Sequence, residues 1–127
     1  MLLDSNIIIY SAQPQYPQLR QLIGEHSPAV SALSYLEVLG YHLLTEQQRQ
    51  YFEEFFHVAQ ILPISQDVLA QAVVLRQQRR ISLGDSIVAA TALVHELTLI
   101  TRNVGDFRWI VELNLLNPFD DDALGAV

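Results

Sequence analysis

The sequence has no cysteine and no lysine, and only one tryptophan and one methionine. Without cysteine there is no disulfide framework and no zinc–thiolate site, which fits a cytoplasmic chain. All seven basic residues are arginines, at positions 20, 49, 76, 79, 80, 102 and 108, against fourteen acids, for a formal net charge of −7. The basic footprint usual in nucleic-acid-binding domains is therefore missing. Carboxylates gathered around bound divalent cations would account for part of the acidic excess. Charged residues make up only 17% of the chain and hydrophobic ones half, a composition that excludes a disordered polypeptide. No apolar run approaches the roughly 20 residues of a membrane span. Met1 to Asp4 places no basic region ahead of an apolar one, as a signal peptide would.

The 127 residues suit one domain with a real core, and no internal repeat or interdomain linker interrupts them. The reading gives a folded unit over 1–118 and an acidic, frayed tail over 119–127. Short apolar segments at Met1–Leu3, Pro28–Ser31, Gln60–Ile64, Thr98–Thr101 and Leu115–Leu116 read as strands. Pro63 puts the third at a sheet edge or strand end. Helical patterns cover Gln18–Glu25, Ala32–Leu44, Glu46–Ala59, Gln66–Arg79 and about Gly84–Leu97, with a further short helix expected over Trp109–Asn114. The segment Arg102–Asp106 reads as a turn. Strands alternating with helices predict a single α/β domain, a central parallel sheet of four to five strands flanked by helices. Helix 84–97 is apolar on nearly every side and is expected to be buried. Tyr51, Phe52, Phe55 and Phe56 form a broad aromatic face, too wide for a small core, which argues for a homodimer.

Four acids hold the chemistry. Asp4 and Asp106 each follow the carboxyl end of a strand, where sites form in open parallel sheets. Asp85 opens the buried helix, and Glu37 lies inside an apolar helical stretch. Each has an ordinary alternative. Asp4 can cap the helix after it, Ser82 with Asp85 can form a capping box, Asp106 can serve a turn, and Glu37 can face outward. Gathered together without counter-charge, the four would raise one another's pKa. Hard divalent cations resolve that conflict and activate water for phosphodiester hydrolysis. Other constellations fail. There is no G-x-x-x-x-G-K-[ST] and no G-x-G-x-x-G. The lysine wanted by nucleophilic-aspartate phosphatases and receiver domains does not exist here. His26, His42, His57 and His95 show no ligand spacing.

In order, LLDSNIIIY, SALSYLEVLGY, LGDSIVAATAL and LITRNVGDF resemble the four acidic motifs of PIN-domain ribonucleases, most closely the VapC toxins of bacterial toxin–antitoxin pairs. The resemblance spans Leu2 to Phe107. It implies catalytic and metal-binding roles for Asp4, Glu37, Asp85 and Asp106, with Asn6, Ser34, Thr101 and Asn103 as supporting polar residues. It also implies a Mg²⁺- or Mn²⁺-dependent endoribonuclease that cuts single-stranded RNA to leave a 5′-phosphate and a 3′-hydroxyl. The implied partners are a cognate antitoxin protein and a second copy of the chain, with no membrane. The alternative function is a catalytically silent binding module of the same fold, acting through protein partners.

Overall fold

The computed structural model describes residues 1–120. Five parallel strands form one sheet: β1 (Leu2–Leu3), β2 (Ala29–Ser31), β3 (Gln60–Leu62), β4 (Leu99–Ile100) and β5 (Leu115–Leu116), in the order β3-β2-β1-β4-β5. Pro63 follows β3, which is an edge strand as its missing N–H requires. The strands are short, but each alternates its side chains between two faces. Leu2 and Leu99 point into one core and Leu3 and Ile100 into the other, all fully buried.

Helices cover both faces. On the Leu3 side lie α1 (Ser5–Ser11), α2 (Pro17–His26), α3 (Ala32–Leu39) and α4 (Glu46–Val58). On the Leu2 side lie α5 (Gln66–Gln78) and α6 (Leu83–Val94), followed after β4 by the one-turn α7 (Val104–Phe107). Every residue of α6 from Ser86 to Ala92 is buried, as its all-round apolar character demands. Its alanines let the neighbouring elements approach closely. Removing one of the large buried side chains, such as Leu3 or Ile100, would cost about 2–5 kcal/mol.

Several elements depart from the sequence expectation. The helix from Ala32 stops at Leu39, where Gly40 caps it through its amide to the Leu36 carbonyl, 2.8 Å away. Residues 41–44 form a turn, so Leu36 and Leu43 are exposed rather than core. The buried positions of α3 are Ser34 and Val38, one turn apart, and Glu37 is exposed. No helix forms over Trp109–Asn114. Two successive turns, Ile110 N–H to the Phe107 carbonyl and Leu113 N–H to the Ile110 carbonyl, instead drop Ile110 and Leu113 into the core. Part of the Arg102–Asp106 turn is helical, since α7 starts at Val104. The aromatic face of α4 is not a surface: Phe52, Phe55 and Phe56 are buried, and half-buried Tyr51 bonds Ser11. The tail was expected to fray from Phe119, yet Phe119 packs edge-on against Tyr10 and Tyr16. The rest of the tail lies outside the described residues. Among the described residues no helix is long and apolar enough to cross a membrane.

Candidate active site

The carboxyl ends of β1 and β4, the two most central neighbouring strands, carry Asp4 and Thr101. Asp4 ends its strand in an extended conformation and is the N-cap of α1. Its Oδ1 accepts the Ser5 amide at 2.8 Å, satisfying an orphan donor of the helix start. Its Oδ2 accepts the Thr101 hydroxyl at 2.9 Å. Thr101 Oγ1 in turn accepts the Asn103 amide at 3.0 Å. The capping role foreseen as the plain alternative for Asp4 is therefore real, and it uses only one of the two carboxylate oxygens.

Glu37 reaches this point from α3. Ser5 Oγ lies 2.8 Å from both Glu37 Oε1 and Ser34 Oγ. One hydroxyl hydrogen cannot serve both, and an ionised carboxylate can only accept. Ser5 therefore donates to Glu37, and Ser34 supplies the hydrogen between the two serines. The other carboxylate oxygen, Oε2, lies against Gly84, 3.5 Å from where a Cβ would stand. Glu37 thus bridges the end of β1 and the first turn of α6, one residue before Asp85.

Asp85 is half-buried in that first turn, and its amide donates to the N-cap Ser82 at 3.1 Å. A reciprocal bond from its carboxylate to the Ser82 amide does not form, whereas Thr45 and Gln48 on α4 make both halves of a capping box. The Asp85 carboxylate is consequently not committed to capping. Asp106 lies exposed on α7, which is anchored by the Trp109 indole donating to the Asp106 carbonyl at 3.0 Å.

The electrostatics tie the four acids together. Burial pushes the Asp4 carboxyl above its ordinary range; the Thr101 bond opposes this, the Asp85 charge adds to it, the Ser5 amide opposes it and Glu37 adds again. Burial also raises Asp85, against the Ser82 hydroxyl, with the charges of Asp106 and Glu37 raising it further. Each acid is thus felt by at least one other, and no cation of the protein answers them: the ion pairs among the described residues are Arg49 with Glu46 and with Glu53. The acids nevertheless stand apart. Among the described residues no three metal-ligating side chains of the His, Cys, Asp or Glu type are grouped closely enough to hold one ion. The expected four-ligand cage is not preformed, because like charges separate when hydroxyls and amides hold them instead.

The supporting residues divide. Thr101 and Ser34 are buried and bonded within the network. Asn6 and Asn103 are exposed, and among the described residues neither side chain makes a hydrogen bond; Asn103 contributes only its backbone amide. Ser5 was not singled out from the sequence, although it links Asp4, Ser34 and Glu37. The available signal was a hydroxyl directly after a strand-end acid.

Beside Glu37 runs an apolar groove of about 630 Å³ between α1, α3 and α4, lined by Ile9, Ala12, Val38, Tyr41, Leu44 and Phe52 among others.

Comparison with known proteins gives a consistent picture. The PIN domain family model matches residues 1–109. A chain of a toxin–antitoxin complex from Klebsiella pneumoniae is 32% identical, with a TM-score of 0.74, over 94% of this chain and 98% of that one. A chain of FitAcB from Neisseria gonorrhoeae is 25% identical, with a TM-score of 0.75, over 93% and 97%. VapBC2 from Rickettsia felis, bound to a DNA fragment from its promoter, shares the fold at 21% identity and a TM-score of 0.80, over 91% and 96%. No curated protein matches the sequence.

Proposed function

This chain belongs to the PIN-domain family, and from that premise we propose that it is the toxin of a toxin–antitoxin pair, a metal-dependent endoribonuclease acting on single-stranded RNA. The observation that carries the reading is Asp4. It is a carboxylate only 8% exposed, fixed at the carboxyl edge of a parallel sheet, and the charges of Asp85 and Glu37 act on it. The Ser5 amide and the Thr101 hydroxyl satisfy its oxygens, but the charges that act on it are those of other acids, which a divalent cation would offset.

The donor set is entirely hard oxygen, which suits Mg²⁺ or Mn²⁺. Such ions keep several waters and are commonly held by one or two carboxylates, so a preformed cage is not required. Asp4 and Asp85 would hold the ion, with Asp106 joining directly or through water. When bound, the ion lowers the pKa of water and stabilises the leaving oxygen of a phosphodiester. The protein's own part is positioning. Ser5 fixes Glu37 Oε1, so that this carboxylate orients the attacking water and takes up its proton. Thr101 keeps Asp4 from rotating away from the site.

A toxin needs an inhibitor. The groove next to Glu37 is mainly apolar, which suits one face of an amphipathic helix, and Glu37 on its wall attracts a guanidinium. The proposed antitoxin lays a helix on Ile9, Val38 and Tyr41 and sends an arginine among the acids, excluding metal or substrate. A second copy of the chain is assigned to α5, where Leu69, Val73 and Val74 remain exposed.

The deciding experiment compares wild type and Asp85→Asn on single-stranded RNA after EDTA treatment and after restoring Mg²⁺. Cleavage by wild type only with the ion, and none by the variant, supports the reading. Equal activity of the two, or no cleavage by either with Mg²⁺ or Mn²⁺, rejects it in favour of a binding module.

A further inference from the structure

The residue between the two that serve Asp4 is an arginine. Thr101 turns inward to the Asp4 carboxylate, and the Asn103 amide closes on Thr101. Arg102 turns the other way and is exposed. Its guanidinium carbon sits 4.3 Å from the centre of the Phe119 ring and 5.3 Å from that of Tyr10. Beneath it, Tyr10, Tyr16 and Phe119 form a closed triangle of edge-to-face contacts, with centroids 5.6, 5.5 and 5.2 Å apart. This is a rigid platform contributed by α1, the segment before α2 and the segment after β5.

The electrostatic setting is unusual. Arg102 neighbours the acid cluster in the chain, yet among the described residues it pairs with no carboxylate. The cation is held on ring faces, which orient it without neutralising it. The other arginines with defined contacts are engaged elsewhere: Arg20 on the Ser11 and Gln13 carbonyls, Arg49 on two glutamates, Arg79 over Trp109. A chain of net charge −7 repels a polyanion. An RNA strand lying over Asp4 and Asp85 therefore gains most from a fixed cation at the edge of the site.

We infer that Arg102, stacked on Tyr10 and Phe119, binds a backbone phosphate of single-stranded RNA flanking the one that is cut. This rests on the nuclease reading for the identity of the ligand. The guanidinium fork pairs two phosphate oxygens at once, and stacking has already removed much of its side-chain freedom. Lysine would supply the charge without the fork or the stack.

The test is fluorescence anisotropy of a labelled single-stranded RNA oligonucleotide with the full chain in EDTA, titrated over salt concentration. Arg102→Gln is expected to weaken binding at least fivefold at low salt. The slope of log affinity against log salt should also fall by about 0.7, the value of one phosphate contact on a single strand. Arg102→Lys should bind at least threefold more weakly than wild type, and it decides the matter should the glutamine variant not fold. Arg49→Gln, a control already paired with Glu46 and Glu53, should match wild type. In Mg²⁺, Arg102→Gln should raise KM and leave kcat within twofold. Unchanged affinity and slope in Arg102→Gln overturn the proposal, as does a wild type that binds no RNA. It is equally overturned if RNA binding is unchanged and only capture of an acidic protein partner weakens. Binding through Arg102 without any cleavage would keep Arg102 as an RNA-phosphate contact and remove the nuclease reading. Cleavage with unchanged binding by Arg102→Gln would do the reverse.

Discussion

Thr101 donates its hydroxyl to Asp4 across 97 positions of sequence, at 2.9 Å, in the interior of the protein. The bond joins the ends of two paired central strands, β1 and β4. It leaves the outward oxygen arrangement of Asp4 fixed by the fold rather than by a ligand. Thr101→Val keeps the shape and strands both Asp4 Oδ2 and the Asn103 amide without their partner. Leaving buried polar groups unpaired costs about 1–3 kcal/mol. Urea denaturation should register that loss, with Thr101→Ser recovering most of it. A valine variant as stable as wild type would show that the bond contributes nothing to the fold.

Asp85 gives a pH signature. Its folded pKa and that of Asp4 lie above the ordinary value of 3.8. Between that value and the raised ones the folded state binds more protons than the unfolded state, so stability falls as pH rises. This contribution is full below 3.8 and lost above the folded pKa values. Without metal, Asp85→Asn should therefore melt higher than wild type at pH 7, with the gap closing toward pH 4. Millimolar Mg²⁺ should raise the melting temperature of wild type alone, since only an intact site binds the ion. Melting curves that respond identically in the two proteins would exclude metal binding at Asp85.

The groove predicts how the inhibitor binds. Ile9 is 41% exposed on its wall. Ile9→Glu should weaken capture of the co-expressed partner at least tenfold and leave the melting temperature of the chain alone within a few degrees. Binding at wild-type strength, measured by calorimetry, would move the partner to another surface.

The dimer expectation now rests on α5 instead of the aromatic rings. Val73 is 54% exposed between Leu69 and Val74, also exposed. Val73→Glu should convert a dimer to a monomer by light scattering at micromolar concentration. A wild type that is already monomeric there rejects the assignment.

Much of this architecture was legible because it depends on local pattern. Strand-end acids, the capping serine at 82 and the apolar wrap of α6 are all written within a few residues. What failed depended on distant partners. The rings of α4 look like a surplus until α1 and α3 are folded over them; Phe56 then stacks edge-on with Tyr35 and Tyr51 bonds Ser11. Segment 109–114 carries enough apolar residues for a helix, but two turns place Ile110 and Leu113 where the core needs them. Glu37 lies in an apolar stretch of sequence, yet Leu36 beside it is 68% exposed, so apolar neighbours in the chain do not make a buried face. Ser5 acquires its role only once Ser34 and Glu37 arrive from another helix.

The central place of β1 also governs when the site can assemble during synthesis. Leu2 and Leu3 pair on one side with β2 and on the other with β4, whose residues are made almost a hundred positions later. At roughly 5–20 residues per second, the earliest translated strand waits several seconds for its second neighbour. Until then Asp4 has its Ser5 bond but no Thr101. The hydrogen bond between Asp4 and Thr101 is therefore one of the last contacts of the site to form.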